Sequence, residues 1–223
     1  MQNILITGAN RGIGLAMATI FKQRGDHVIA VCRQSSDTLD ALNVQTEAGV
    51  DVTDPKAIAE LANRLSSTTI HRMVLNAGIL ASDSLDTLDE QAFEAMLKQF
   101  KVNALGPLRV VQGLRQRLAE NAKVAIITSR MGSISDNTSG GYYGYRMSKA
   151  AVNVVGRSLA QDLRQDGIAV LLLHPGFVRT EMVGGNGDIS AEEAAGNLIA
   201  RMDELSLADT GSFWHAKGEP LPW

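Results

Sequence analysis

The chain has 223 residues, a formal net charge of −3 and 45% hydrophobic residues, which suits one domain with a sizeable core. The slightly acidic balance argues against a large nucleic-acid surface, and the single cysteine, Cys32, excludes an internal disulfide or a cysteine-built zinc site. No basic start with a long apolar core marks a signal peptide, and no uncharged apolar run is long enough to span a bilayer, so a cytoplasmic protein with no membrane or nucleic-acid partner is expected.

Short runs rich in Val, Ile and Leu predict strands at Asn3–Thr7, His27–Cys32, Val44–Val50, Met73–Leu75, Val124–Thr128, Ala169–Leu173 and Ser212–Trp214. They alternate little between apolar and polar, as strands covered on both faces do. Longer periodic stretches between them predict helices at Gly14–Arg24, Pro55–Leu65, Glu90–Leu118, Tyr143–Gln165 and Ala191–Glu204. Asp54-Pro55 and Ser190 with Glu192 and Glu193 read as helix starts. Strand and helix alternate over residues 1–223, which predicts a single-domain α/β fold: a doubly wound parallel sheet with helices on both faces. The glycine-rich stretch Val183–Asp188 reads as a mobile loop before the last helix.

The junction of the first strand and first helix reads Thr7-Gly8-Ala9-Asn10-Arg11-Gly12-Ile13-Gly14. Glycines there allow a tight turn and close approach of backbone amides to a ligand, and the following helix N-terminus favours a pyrophosphate. The same pattern alone would also suit a nucleoside-binding methyltransferase or a turn with no ligand. Further on, Tyr145 and Lys149 stand four apart, so a helix puts them on one face. A phenol has an ordinary pKa of about 10, and a neighbouring ammonium favours the phenolate, which would let Tyr145 exchange a proton with a carbonyl or alcohol oxygen. Tyr142 and Arg146 share this spacing, but arginine is a permanent cation on a planar fork, and Tyr142 falls at the helix start after Gly140-Gly141. Tyr145 is the better candidate. His27, His71, His174 and His215 show no metal spacing, and no metal is expected.

Taken in order, the glycine turn, Asn76-Ala77-Gly78, Asn103 in KVNALGP, Ser129 in IITSRMGSI, the YRMSK around Tyr145 and Lys149, and HPGFVRT at 174–180 resemble the short-chain dehydrogenase/reductase family over nearly the whole chain. The nearest likeness is to carbonyl-reductase and C-factor-like members. The resemblance implies an oxidoreductase that moves hydride between NADP(H) and a small carbonyl or alcohol. In it Tyr145 is the general acid/base, Lys149 its pKa modifier and ribose ligand, and Ser129 the donor to the substrate oxygen, with Ser133 and Ser135 close by as alternatives. Asn103 would kink its helix and hold a relay water. Gly8, Asn10, Gly12, Ile13 and Gly14 would cradle the pyrophosphate. Asp51 and Val52 would meet adenine, with Asn76, Ala77 and Gly78 on the adenosine side. Pro175, Gly176, Val178 and Thr180 would hold the nicotinamide. The family context adds an expected homodimer or homotetramer, with the helices at 90–118 and 143–165 as interfaces. It also leaves a second reading, an NADP(H)-binding signalling or redox-sensing protein with little turnover.

The second predicted strand ends in Cys32-Arg33 with no acid until Asp37, where an NAD-specific site would carry one for the ribose 2′-hydroxyl. Arg33, joined by Arg11 from the glycine turn, is therefore expected to bind the 2′-phosphate of NADP.

Overall fold

The computed structural model describes residues 1–223. Seven parallel strands form one sheet in the order β3-β2-β1-β4-β5-β6-β7. They are β1 (Asn3–Thr7), β2 (His27–Val31), β3 (Gln45–Glu47), β4 (Ile70–Leu75), β5 (Leu118–Ile127), β6 (Ala169–His174) and β7 (Phe213–His215). The helices are α1 (Gly12–Gln23), α2 (Asp37–Ala41), α3 (Pro55–Arg64), α4 (Glu90–Phe100), α5 (Gly106–Leu114), α6 (Tyr143–Asp162) and α7 (Ala191–Glu204). None is long and apolar enough to cross a membrane.

Alternation along the strands splits the core into two layers. Leu5, Ile29 and Met73 point to the face that also holds Leu61 of α3, Val110 of α5 and Val152 of α6. Ile4, Ile6 and Val74 point to the other, with Met17 and Phe21 of α1 and Leu198 of α7. Both faces are thus dry, which accounts for the unbroken apolar strands. The chain winds outward from β1 to β3 and then returns to β4 on the other side of β1, so a crevice opens at the carboxyl ends of β1 and β4.

The helix predicted over Glu90–Leu118 is not continuous. A π-turn at Lys101–Leu105 separates α4 from α5, with Gly106 N–H donating to the Lys101 carbonyl five residues back. Pro107 has no N–H for the carbonyl of Asn103, so the regular repeat fails there. The end of that segment, Leu118, already belongs to β5, which bulges against β4 before the register resumes at Lys123. Helix α2, capped by Ser36 and burying Leu39, was not foreseen. Asp54 and Ser190 cap α3 and α7 as expected.

Thr7 ties the centre of the sheet to the crevice. Its Oγ1 accepts from Asn76 N–H at 3.0 Å and Ala77 N–H at 3.1 Å. The Asn76 amide in turn donates to the Thr7 and Gly8 carbonyls, both at 3.1 Å. Thr7→Val, nearly isosteric, leaves two amides without an acceptor, and chemical denaturation should show a loss of about 1–3 kcal/mol.

Candidate active site

A cleft of about 900 Å³ opens at the ends of β1, β2 and β4. Gly8, Asn10, Arg11, Gly12 and Ile13 line one side, Arg33, Asp51 and Val52 another, and Asn76, Ala77, Gly78 and Thr180 the rest. Helix α1 has no side-chain cap and no acid in its first turn, so its leading amides are left for a ligand. Gly8 and Gly14 are required by packing as well. A Cβ on Gly8 would lie 2.9 Å from Ala77 Cα, and one on Gly14 would lie 2.6 Å from Asn76 Nδ2. Gly12 has φ of +53° and only the Thr180 methyl near its missing Cβ. The groove is therefore narrow in backbone and lined by free donors, which fits a dinucleotide.

Asp51 sits half-buried at the far end. Burial raises its carboxyl pKa, but bonds from Thr53 N–H at 2.8 Å and Thr53 Oγ1 at 2.7 Å, with the Arg33 and Lys98 charges, bring it below the usual range. Asp51 is thus an anion that can accept from a base amino group. Arg33 is exposed on the cleft rim. Arg11 also lines the cleft, but its guanidinium pairs with Glu181 at 2.6 Å across the mouth. The expected convergence of two free arginines is thus modified: Glu181, unremarked in the sequence, competes for Arg11.

Pro175, Gly176 and Val178 do not line this cleft. Val178 is packed with Ile189 and Ala194, and Gly176 turns at φ of +96° beside the His215 ring. Only Thr180 of that group faces it. Asn76 borders the cleft but spends its side chain on the turn carbonyls, so its part is to hold the turn.

Ser129, Tyr145 and Lys149 come together beyond the cleft. Ser129 follows β5, and its Oγ accepts from Met131 N–H at 3.2 Å. Tyr145 is 8% exposed, whereas Tyr142 is 39% exposed at the start of α6. Arg146 turns away to the Gly141 carbonyl and Ser139, so the rival pair does not assemble beside Ser129. Ser133 is buried and accepts from Asp136 N–H, and Ser135 bonds the Trp223 carbonyl, which leaves Ser129 as the serine beside the phenol. Lys149 is buried, donates to the Ile127 carbonyl at 3.0 Å and stands 5.6 Å from the Tyr145 ring centre.

Electrostatically the site departs from the expectation of a lowered phenol pKa. Burial pushes Tyr145 up to about 12, with the Ser129 hydroxyl acting in the opposite direction. Burial also pushes Lys149 down to about 8, because an ammonium loses hydration there and gains no carboxylate. Desolvation outweighs the pairing read from the spacing.

Asn103 sits on the π-turn, buried. Its Oδ1 accepts from Ile79 N–H at 2.8 Å, and its amide donates to the Ile79 carbonyl at 2.8 Å and to Ser148 Oγ at 3.0 Å. Ser148 donates onward to the Tyr145 carbonyl at 2.8 Å. Both amide hydrogens are spent, so the side chain braces α6 against the segment after β4. Asp83 was missed by sequence reasoning because several acids crowd that stretch. Its side chain accepts from Tyr143 N–H at 2.5 Å and Gly144 N–H at 3.1 Å, capping α6.

The family of short chain dehydrogenases matches residues 2–189. The chain belongs to that family. Among curated relatives, the 1-hydroxy-2-glutathionyl-2-methyl-3-butene dehydrogenase of Rhodococcus sp. (strain AD45) is 41% identical and is matched over 100% of both chains. The C-signal protein of Myxococcus xanthus is 38% identical over 73% of this chain and 98% of its own length. A carbonyl reductase from Pseudomonas aeruginosa PAO1, solved in complex with NADP, superposes with a TM-score of 0.86 at 35% identity, covering 100% of both chains. This short-chain dehydrogenase is an oxidoreductase, and its seven-stranded sheet is the fold the resemblance implied.

His174, at the end of β6, stacks edge-on to His215 with ring centres 5.0 Å apart, and its Nδ1 is buried without a partner. Burial, with the His215, Arg130 and Lys149 charges, lowers its pKa from 6.5 to about 3. An unfolded chain takes up that proton near pH 6.5, the folded one only near pH 3, so stability falls as pH drops through this window. His174→Leu should flatten the pH dependence of the urea midpoint there.

Proposed function

We propose that Tyr145, Ser129 and Lys149 carry the chemistry of an NADP(H)-dependent carbonyl reductase acting on a small carbonyl or alcohol, with residues 1–223 as one nucleotide-binding unit. The observation that carries the reading is the meeting of these three buried side chains beside a cleft built for a dinucleotide. The related carbonyl reductase that holds NADP supports the choice of cofactor. When bound, NADPH supplies the hydride. Tyr145 gives its phenolic proton to the carbonyl oxygen, or takes it back in the oxidation direction. Ser129 donates to the same oxygen as negative charge develops there. Lys149, its pKa pushed to about 8, provides the ammonium that holds the ribose hydroxyls and favours the phenolate.

Gly8, Asn10, Gly12, Ile13 and Gly14 cradle the pyrophosphate, Asp51 and Val52 take adenine, and Thr180 takes the nicotinamide amide. Ala77 and Gly78 line the adenosine side. Pro175, Gly176 and Val178 act through the course of the backbone that carries Thr180. Arg33 is the principal ligand of the 2′-phosphate, and Arg11 joins it by leaving Glu181. The signalling reading suggested by the C-signal relative is not favoured, since the proton-transfer residues are intact and assembled.

The reading includes a cytoplasmic homo-oligomer, a dimer or tetramer. Phe93, Leu97, Phe100, Leu105 and Leu108 are exposed along α4, the π-turn and α5, and Met147 and Val154 are exposed on α6. A second copy would cover these apolar side chains.

Tyr145→Phe should preserve NADPH binding and lower turnover about a hundredfold or more, while Tyr142→Phe changes little. Lys149→Met should weaken NADPH and move the Tyr145 limb of the pH–rate curve to higher pH. An unchanged curve removes Lys149 from the mechanism. Arg33→Ala should weaken NADPH roughly tenfold or more and leave NADH nearly unaffected, read by fluorescence titration at low salt. Equal affinity of the unaltered protein for NADPH and NADH removes the 2′-phosphate role from both arginines.

A further inference from the structure

The segment that leaves β5 arches from Ser129 to Asp136 before reaching α6. Its near end is fixed on itself. Ser129 caps the turn, Gly132 N–H donates to the Ser129 carbonyl at 2.8 Å, and Arg130 pairs with Asp136. Gly132 also rests directly on α6, since a Cβ there would lie 2.7 Å from Lys149 C and 2.9 Å from Lys149 Cβ. The arch therefore touches both the proposed proton donor's neighbour and the buried lysine.

Its far side is open to solvent, where Ile134 is exposed. A cavity of about 440 Å³ lies between arch and helix, walled by Gly132, Ile134, Asn153, Val154 and Trp223. Helix α6 supports the middle of the arch, with Arg146 donating to the Met131 carbonyl and Asn153 to the Gly132 carbonyl, both at 3.4 Å. Residues that follow β7 support its far end. That tail doubles back, with His215 N–H donating to the Glu219 carbonyl and Leu221 N–H to the Phe213 carbonyl, both at 2.8 Å. Leu221 is buried with Leu172 and Phe213. Trp223 then stacks on Phe213, with rings 5.5 Å apart and 28° from parallel. Its carbonyl accepts two bonds from the arch, from Ser135 N–H at 3.1 Å and Ser135 Oγ at 2.8 Å.

We propose that Trp223 and Ser135 form a clamp that sets the position of the 129–136 arch, making them positioning residues for the substrate oxygen site and determinants of which carbonyls are accepted. The inference rests on the proposed role of Ser129. The indole fixes the tail on β7, and the two bonds to Ser135 pass that position to the arch. Rigid support of this kind matters because a displacement of about 1 Å in a substrate-binding group costs up to a hundredfold in rate. No residue of the arch, nor Trp223, lines the nucleotide cleft.

The test uses the full chain with Trp223→Ala, Trp223→Phe and Ser135→Ala, assayed with NADPH on propanal and on phenanthrenequinone. Trp223→Ala and Ser135→Ala should change the kcat/KM ratio of the two carbonyls by about tenfold, chiefly through KM, with NADPH affinity unchanged. Trp223→Phe keeps a stacking ring and should restore the ratio. Amide hydrogen exchange across residues 130–136 should quicken in Trp223→Ala and not in Trp223→Phe. An unchanged ratio with unchanged exchange overturns the clamp, even if the melting temperature falls. If the unaltered protein reduces no carbonyl, the proposed function fails, and exchange alone decides the clamp: quickened exchange upholds it and unchanged exchange overturns it.

Discussion

Lys149 brings an ammonium into the interior, where its hydrogen-bond acceptor is the Ile127 carbonyl. An unpaired buried charge is expensive, so everything around it must be fixed closely enough to make the position tolerable. Gly132 lies flat on its backbone, Gly78 leaves room near its Nζ, and the Asn103–Ser148 bond holds the helix that carries it. The same lack of a carboxylate keeps the charge available. An ammonium locked to an acid could not serve a ribose and a phenol in turn.

The nucleotide groove is built on the opposite principle, from groups left unsatisfied. Helix α1 begins without a cap, whereas α3, α4 and α7 are capped by Asp54, Asp89 and Ser190. Its amides sit at the turn fixed by Thr7 and Asn76, whose own bonds are complete. Rigid, satisfied neighbours hold donors that await a ligand, so little reorganisation is needed on binding.

The doubly wound parallel sheet was legible in the apolar strands and their alternation with helices. The shared face of Tyr145 and Lys149 was legible in their helical spacing, whereas Ser129 was placed beside them only by the family resemblance. Asp54 and Ser190 could be read as caps because each directly precedes its helix. The break at Lys101–Leu105 was legible only through the kink the resemblance implied at Asn103, because its cause, Pro107 with the anchored Asn103, lies inside an otherwise regular apolar pattern. Tyr145 could be preferred to Tyr142 from the lysine partner and the place of each on the helix, and the burial of Tyr145 against the exposure of Tyr142 agrees with that choice. The Arg11–Glu181 pair spans 170 residues, and the Asp83 cap lies some 60 residues before its helix. Local pattern carries no information on such distant partners. The raised phenol pKa was also beyond reach, since it depends on how much water the fold removes.

The π-turn has a consequence for how chain length can vary. A π-turn winds one residue more into nearly the same sweep as a regular α-turn, so the extra residue at Lys101–Leu105 is absorbed while α4 and α5 keep almost the phase of one continuous helix. Removing that residue would let the helix close regularly with Val110, Val111 and Leu114 still toward the sheet, yet it would withdraw Asn103 from Ile79. The extra residue therefore serves the aim of one side chain and not the packing of the helix.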